Sequence, residues 1–89
     1  MEKIREHLIF YGRVQGVGFR FRAMYLARSL NLTGWVRNEW DETVEMEVQG
    51  TPADICQMLS LLRQQNFLFI SDIREKRIPL EQETGFHIR

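Results

Sequence analysis

The sequence predicts an α+β sandwich in which two helices cover one face of an antiparallel sheet. Three observations carry that expectation. The chain has 89 residues, of which 44% are hydrophobic and 27% charged. Folding of about 11 kDa buries roughly 65% of the extended chain's surface, enough for one core and one domain over residues 1–89. Apolar spacing alternates between strand-like and helix-like stretches in the order β-α-β-β-α-β. One helical stretch carries stop signals and the other a strong start signal.

Residues 6–13 are rich in aromatic and branched side chains and read as the first strand. Gly12, Gly16 and Gly18 then punctuate a loop. Phe19, Ala23, Leu26, Ala27 and Leu30 recur at helical spacing, giving a helix over about residues 20–30 that Asn31 and Gly34 terminate. Trp35 to Asn38 forms a short second strand, and residues 39–42 make a tight hairpin. From Thr43 to Gln49 the alternation is regular. Val44, Met46 and Val48 face the core, while Glu45, Glu47 and Gln49 face water. Thr51 as N-cap, Pro52 at the first helical position and Asp54 in the first turn start the second helix. Its buried stripe is Ile55, Met58, Leu59 and Leu62. A final strand runs from about Phe69 to Ile78 and stops at Pro79, and Phe86–Ile88 adds a short terminal strand. Two split βαβ units of this kind make the ferredoxin-like arrangement, which hosts many unrelated activities.

Composition narrows the function classes. Twelve Lys and Arg balance twelve Asp and Glu, so no excess of positive charge marks a nucleic-acid partner. No apolar run approaches the roughly 20 residues that span a bilayer, and the start lacks the apolar segment of a signal peptide. The lone Cys56 cannot form an internal disulfide, and cytoplasmic residence is the default expectation. A chain this short supports only an enzyme whose chemistry needs few groups.

The informative stretch is Gly12-Arg13-Val14-Gln15-Gly16-Val17-Gly18-Phe19-Arg20. Glycines admit positive φ and close approach of a ligand. Successive amides can then converge on an anion at a helix N-terminus. Arg20 supplies a planar fork for two phosphate oxygens. A plain strand-to-helix connection explains the same glycines and stays open on these residues alone. The stretch is neither a Walker A loop, lacking Gly-Lys-Ser/Thr, nor the dinucleotide fingerprint, whose glycine spacing differs. Asn38, just before the hairpin, can donate and accept at once and so hold a water. By itself it reads equally as a turn residue. The topology brings Arg20 and Asn38 toward one pocket.

Gly12–Arg20, followed by Gly34-Trp35-Val36-Arg37-Asn38 and Val44–Gly50, resembles the acylphosphatase family over practically the whole chain. The resemblance implies metal-independent, cofactor-free hydrolysis of the carboxyl–phosphate bond of small acyl phosphates, releasing inorganic phosphate. It places the catalytic arginine and asparagine on Arg20 and Asn38. It places the phosphate-binding loop on Gln15, Gly16, Val17, Gly18, Phe19 and Arg20. One departure stands out: the family commonly has a glycine after the hairpin aspartate, whereas Asp41 is followed by Glu42, with Trp40 before it. That change puts the turn type in question.

The remaining candidates have plainer readings. His7 and His87 lie outside the motif and suit surface or strand-packing roles, and Cys56 is an inert helix residue. Arg5, Arg74, Lys76 and Arg77 read as solvated strand or edge charges. Phe67, Leu68 and Phe69 lead into the last strand, or mark a contact patch. Two competing functions remain beside the hydrolase. One is a non-catalytic phosphate- or acyl-phosphate-binding module. The other is an RNA-binding domain, whose aromatics would have to lie on a central strand. A monomer is the simplest expectation.

Overall fold

The computed structural model describes residues 2–89. Its elements are β1 (Ile4–Arg13), α1 (Phe19–Ser29), β2 (Thr33–Asn38), β3 (Val44–Gly50), α2 (Pro52–Arg63), β4 (Phe69–Ile78) and β5 (Phe86–Ile88). The strands form one sheet in the order β4-β1-β3-β2-β5. Four of them pair antiparallel, as the sequence predicts, with Leu8 opposite Met46 and Val36 opposite Met46 in the central ladders. The sheet as a whole is mixed, because β5 lies parallel to β2, with Gly34 opposite Phe86. This extends the expected ferredoxin-like sheet at one edge.

Each element ends for a visible reason. Helix α1 stops in a Schellman turn: Leu32 N–H donates to the Ala27 carbonyl at 2.8 Å and Asn31 N–H to Arg28 at 3.2 Å. Asn31 sits at φ 57°, a conformation asparagine tolerates better than most side chains. Helix α2 begins with the Thr51 hydroxyl accepting from Asp54 N–H at 3.2 Å and Pro52 in the first turn. Its stripe of Ile55, Met58 and Leu62 is buried as predicted, and Leu59 packs at the margin. Both helix stripes meet Leu8, Phe10, Val36, Val44, Met46 and Val48 from the sheet in one continuous core.

The other face of the sheet departs from expectation. The sequence predicts that Glu45 and Glu47 point to water and that Arg5 is a solvated strand charge. Instead Arg5 is fully buried. Its Nε and Nη2 donate to Glu47 at 3.0 and 2.9 Å, and Nη1 donates to Glu83 at 2.5 Å. Glu83 belongs to the segment between β4 and β5, which folds back over this face. Gln49 anchors the same segment, donating to the Glu81 carbonyl at 3.0 Å and accepting from its N–H at 2.9 Å. The alternation identified the face correctly. It could not reveal that a later segment covers it. Burial alone would lower the Arg5 pKa, but hydrogen bonds to Glu83 and Glu47 raise it above the ordinary arginine value. Arg74, Lys76 and Arg77 on edge strand β4 are exposed, as expected.

Removing one partner of a buried ion cluster strands the others. Glu47 and Glu83 retain some solvent access, which limits the penalty. Arg5→Ala should therefore destabilise the fold by about 2 kcal/mol, read as a lower urea midpoint with an unchanged m-value. It should also raise hydrogen exchange across residues 79–85.

Candidate active site

The site is built where β1 hands over to α1. Val14 and Phe19 are each 1% exposed and anchor the two ends of the loop in the core. The Phe19 ring packs on Phe10 of β1 with 4.9 Å between centroids. Four residues, Gln15 to Gly18, are left to bridge these anchors. Gly16 and Gly18 adopt φ of 71° and 81°, and both positions open onto free space. Glycine is therefore required by backbone conformation, not by crowding, and the chain presents its amides outward.

Gly18 is also the N-cap of α1 and provides no side-chain cap. The first intrahelical bond of the turn is Arg22 N–H to the Gly18 carbonyl at 3.0 Å. The N–H groups of Phe19, Arg20 and Phe21 thus have no intrahelical acceptor. The first turn carries no acidic residue, so the positive end of the helix is uncompensated locally. Beside it lies a small cavity of about 70 Å³, lined by Val14, Gly16, Gly18, Phe19, Arg20, Phe21 and Asn38. Arg20 and Asn38 therefore share one cavity, as the topology predicts. Among the described residues, no ion pair engages Arg20.

Two of the predicted loop residues, Gln15 and Val17, do not line this cavity. Gln15 turns away from the cavity, and its Nε2 donates to the carbonyls of Glu39 and Thr43, both at 2.8 Å. Those carbonyls sit at the base of the β2–β3 hairpin, where Glu39 N–H also donates to the Thr43 carbonyl at 2.9 Å. Gln15 is thus a tie between the loop and the strand end that carries Asn38. A glutamine within a glycine-rich motif gives no sign of this in the sequence, because its partners are backbone atoms more than 20 residues away. Val17 lines a second, larger cleft on the other side of the loop. Phe19 is a core residue, offering the cavity its backbone.

The hairpin keeps its tight shape without the expected glycine. Glu42 itself adopts φ 70°, its N–H donating to the Glu39 carbonyl at 3.2 Å. Asp41 holds the turn from the other side, accepting from the Thr43 hydroxyl at 2.6 Å and its N–H at 3.2 Å. These two hydrogen bonds, the hydroxyl foremost, depress the Asp41 pKa below its ordinary value. Next to the hairpin, Glu45 is within 2.5 Å of His7 Nε2 and 2.9 Å of Arg37 Nη2. Burial alone would raise the Glu45 pKa, but the bonds from His7 and Arg37 outweigh it and leave it lowered. His7 thus takes a strand-packing role. His87 Nε2 lies 2.8 Å from the Thr84 carbonyl, away from the cavity. Cys56 is exposed and unpaired. Phe19 and Phe21 lie on α1, not on a strand, which is the wrong placement for stacking bases. Among the described residues, no group of three or more His, Cys, Asp or Glu side chains could hold a metal ion.

With this geometry in place, comparison with known proteins decides the family. The acylphosphatase family model matches residues 6–88. The chain belongs to the acylphosphatase family. It is 41% identical over 88 residues to an acylphosphatase of Clostridium beijerinckii, covering 97% of this chain and 98% of that one. An acylphosphatase of Thermococcus kodakarensis is 54% identical over 52 residues, 58% of this chain and 57% of its own length. The crystal structure of acylphosphatase from Bacillus subtilis superposes with a TM-score of 0.90 at 31% identity, covering 97% of this chain and 98% of that one. Acylphosphatases act on a small acyl phosphate and release phosphate, and this chain is an enzyme of that type.

Two measurements check the hairpin. A non-glycine residue at positive φ costs about 1 kcal/mol, part of which is offset because glycine loses more entropy on folding. Glu42→Gly should accordingly raise the melting temperature by a few degrees, since about 1 kcal/mol shifts Tm by roughly 4–8 °C in a domain of this size. For Glu45, a folded-state pKa below the ordinary 4.5 means that its contribution to stability is complete above that value. The contribution is lost as pH falls through the lowered folded value. Urea titrations at pH 7 and pH 3 should show a shallower loss of stability on acidification in Glu45→Gln than in the wild type.

Proposed function

We propose that this acylphosphatase works at the cavity between Arg20 and Asn38, attacking the phosphorus of its substrate with water. The observation that carries the reading is the pairing of Arg20 and Asn38 in one cavity at the open N-terminus of α1. In this reading the Arg20 fork and the amides from Gly16 to Phe21 receive the phosphoryl oxygens. They neutralise the charge that the transition state spreads over those oxygens, the main demand of phosphoryl transfer. Asn38 accepts a hydrogen bond from one water and aims its oxygen at phosphorus, in line with the bond that breaks. As the new P–O bond forms, the bridging C–O–P oxygen leaves phosphorus and takes the electron pair with it. The water's proton passes to a phosphoryl oxygen. The products are a carboxylate and inorganic phosphate.

No general acid is needed for the departure, because a carboxylic acid has a pKa near 4 and its anion leaves unprotonated. The reaction therefore asks for two side chains and a set of oriented amides, and no metal. The enzyme acts as one domain over residues 1–89 and as a monomer, since both side chains of the site come from one chain and its core is continuous. The unpaired Cys56 suits a reducing, cytoplasmic setting.

The test is release of phosphate from benzoyl phosphate in the presence of EDTA, with substitutions at both positions. Arg20→Ala should lower kcat/KM by about 10³-fold or more, the scale on which an arginine stabilises a transferring phosphoryl group. Asn38→Ala should lower kcat by about 10²-fold, because it removes orientation of the nucleophile. Inhibition by inorganic phosphate should weaken strongly in the first variant and little in the second. Undiminished turnover in Arg20→Ala would rule out this site, and phosphate binding without wild-type turnover would leave a binding module.

A further inference from the structure

Asn38 has to aim a water, yet no contact of its own fixes its direction. It is exposed at the end of β2 and, among the described residues, its side chain takes part in no hydrogen bond within the chain. Its direction is therefore inherited from the backbone on either side. Side chains of a strand alternate between faces, so Asn38 shares the helix side of the sheet with the core residue Val36. Arg37 and Glu39 project from the other side, where Glu39 lines a shallow recess with Ile9, Tyr11 and Glu45.

On that outer side the two neighbours of Asn38 are joined across it. Arg37 Nε donates to Glu39 Oε2 at 2.5 Å. Glu39 is engaged at each of its other polar groups as well. Its N–H donates to the Thr43 carbonyl at 2.9 Å, and its carbonyl accepts from Gln15 Nε2 at 2.8 Å and from Glu42 N–H at 3.2 Å. Arg37 is steadied in turn. Its Nη2 lies 2.9 Å from Glu45, which His7 Nε2 approaches to 2.5 Å, and its guanidinium sits 5.0 Å from the Trp35 ring centre. An ion pair as open to water as this one adds little to global stability. What it does is local: a link between residues 37 and 39 restrains the backbone dihedral angles of residue 38, and those angles set where the Asn38 side chain points.

We propose that Glu39, gripped by Arg37 across Asn38, is a positioning residue that keeps the asparagine aimed from the far side of the sheet. The proposal rests on the reading above, in which Asn38 directs the attacking water. Rate depends steeply on such aim, since a misplacement of about 1 Å can cost about 10²-fold. An exposed pair can bias a local equilibrium by about fivefold. That bias bears on the attack step and not on phosphate binding, because Arg20 and the loop amides lie on the other side of the cavity from this link.

The test is steady-state turnover of benzoyl phosphate by Glu39→Ala, alone and combined with Asn38→Ala. Glu39→Ala should lower kcat about fivefold, with KM, inhibition by inorganic phosphate and the urea midpoint close to those of the wild type. Glu39→Gln keeps an acceptor for Arg37 Nε and should recover most of the loss. In the Asn38→Ala background, Glu39→Ala should cost nothing further, which a merely structural role would not produce. An unchanged kcat in Glu39→Ala would overturn the proposal. So would the same fall with and without Asn38, or a loss of kcat matched by weakened phosphate inhibition. Full turnover in Asn38→Ala alone would instead overturn the underlying reading of Asn38, and the positioning role with it.

Discussion

The arrangement depends on the burial of two apolar side chains on either side of four residues. Val14 and Phe19 are drawn into the core by the hydrophobic effect, and the loop between them has no freedom to relax away. Their separation forces the backbone through positive φ twice, at Gly16 and Gly18. The same constraint fixes where α1 begins. Because Phe19 must face the core, Arg20 emerges on the side of the cavity, one residue further round the helix. Binding an anion at this point requires little ordering of the chain, since packing has already done it. That is the preorganisation on which electrostatic catalysis rests.

Asn38 is positioned by different means. It is exposed at the end of β2, where packing alone would hold it loosely. Three sets of polar contacts make up the difference. The ladder to β3 sets its register, with Asn38 opposite Val44. Asp41 and Thr43 close the turn beyond it. The Gln15 amide then fastens the base of that turn to the loop. Gln15 thereby links the loop directly to the strand end that carries Asn38. The strained Glu42 is tolerated for the same reason, since the turn is determined from several sides at once.

Much of the fold was legible because it follows from local patterning. The stripe of α1, the Thr51–Pro52 start of α2 and the alternation of β3 each state their structure within a dozen residues. Arg20 and Asn38 were legible through a family resemblance between two motifs, and topology then explained why they meet. What stayed hidden depends on contacts distant in the chain. Arg5 reads as a surface charge until Glu83, 78 positions away, closes over it. The tie that the Gln15 side chain makes to the hairpin is invisible in the sequence because its acceptors are backbone carbonyls, which have no signature. The cleft beside α1 joins Phe21 and Tyr25 to Phe67, residues from separate segments that no periodicity relates.

A chain with no net charge nonetheless has to attract a substrate that carries negative charge. The distribution of its carboxylates explains how. Glu39, Glu45, Glu47 and Glu83 are all committed to Arg5, His7 or Arg37 on the face of the sheet opposite the helices. Pairing removes much of the repulsion that they would otherwise exert across roughly one Debye length, about 8–10 Å at physiological salt. Arg20 stands outside these pairs, at the positive end of a helix without acidic residues in its first turn. The field felt by an approaching phosphoryl group is therefore set locally, by Arg20 and a few oriented amides. Local arrangement outweighs net charge here, and the ion pairs on the face of the sheet opposite the helices offset part of the charge of their own carboxylates.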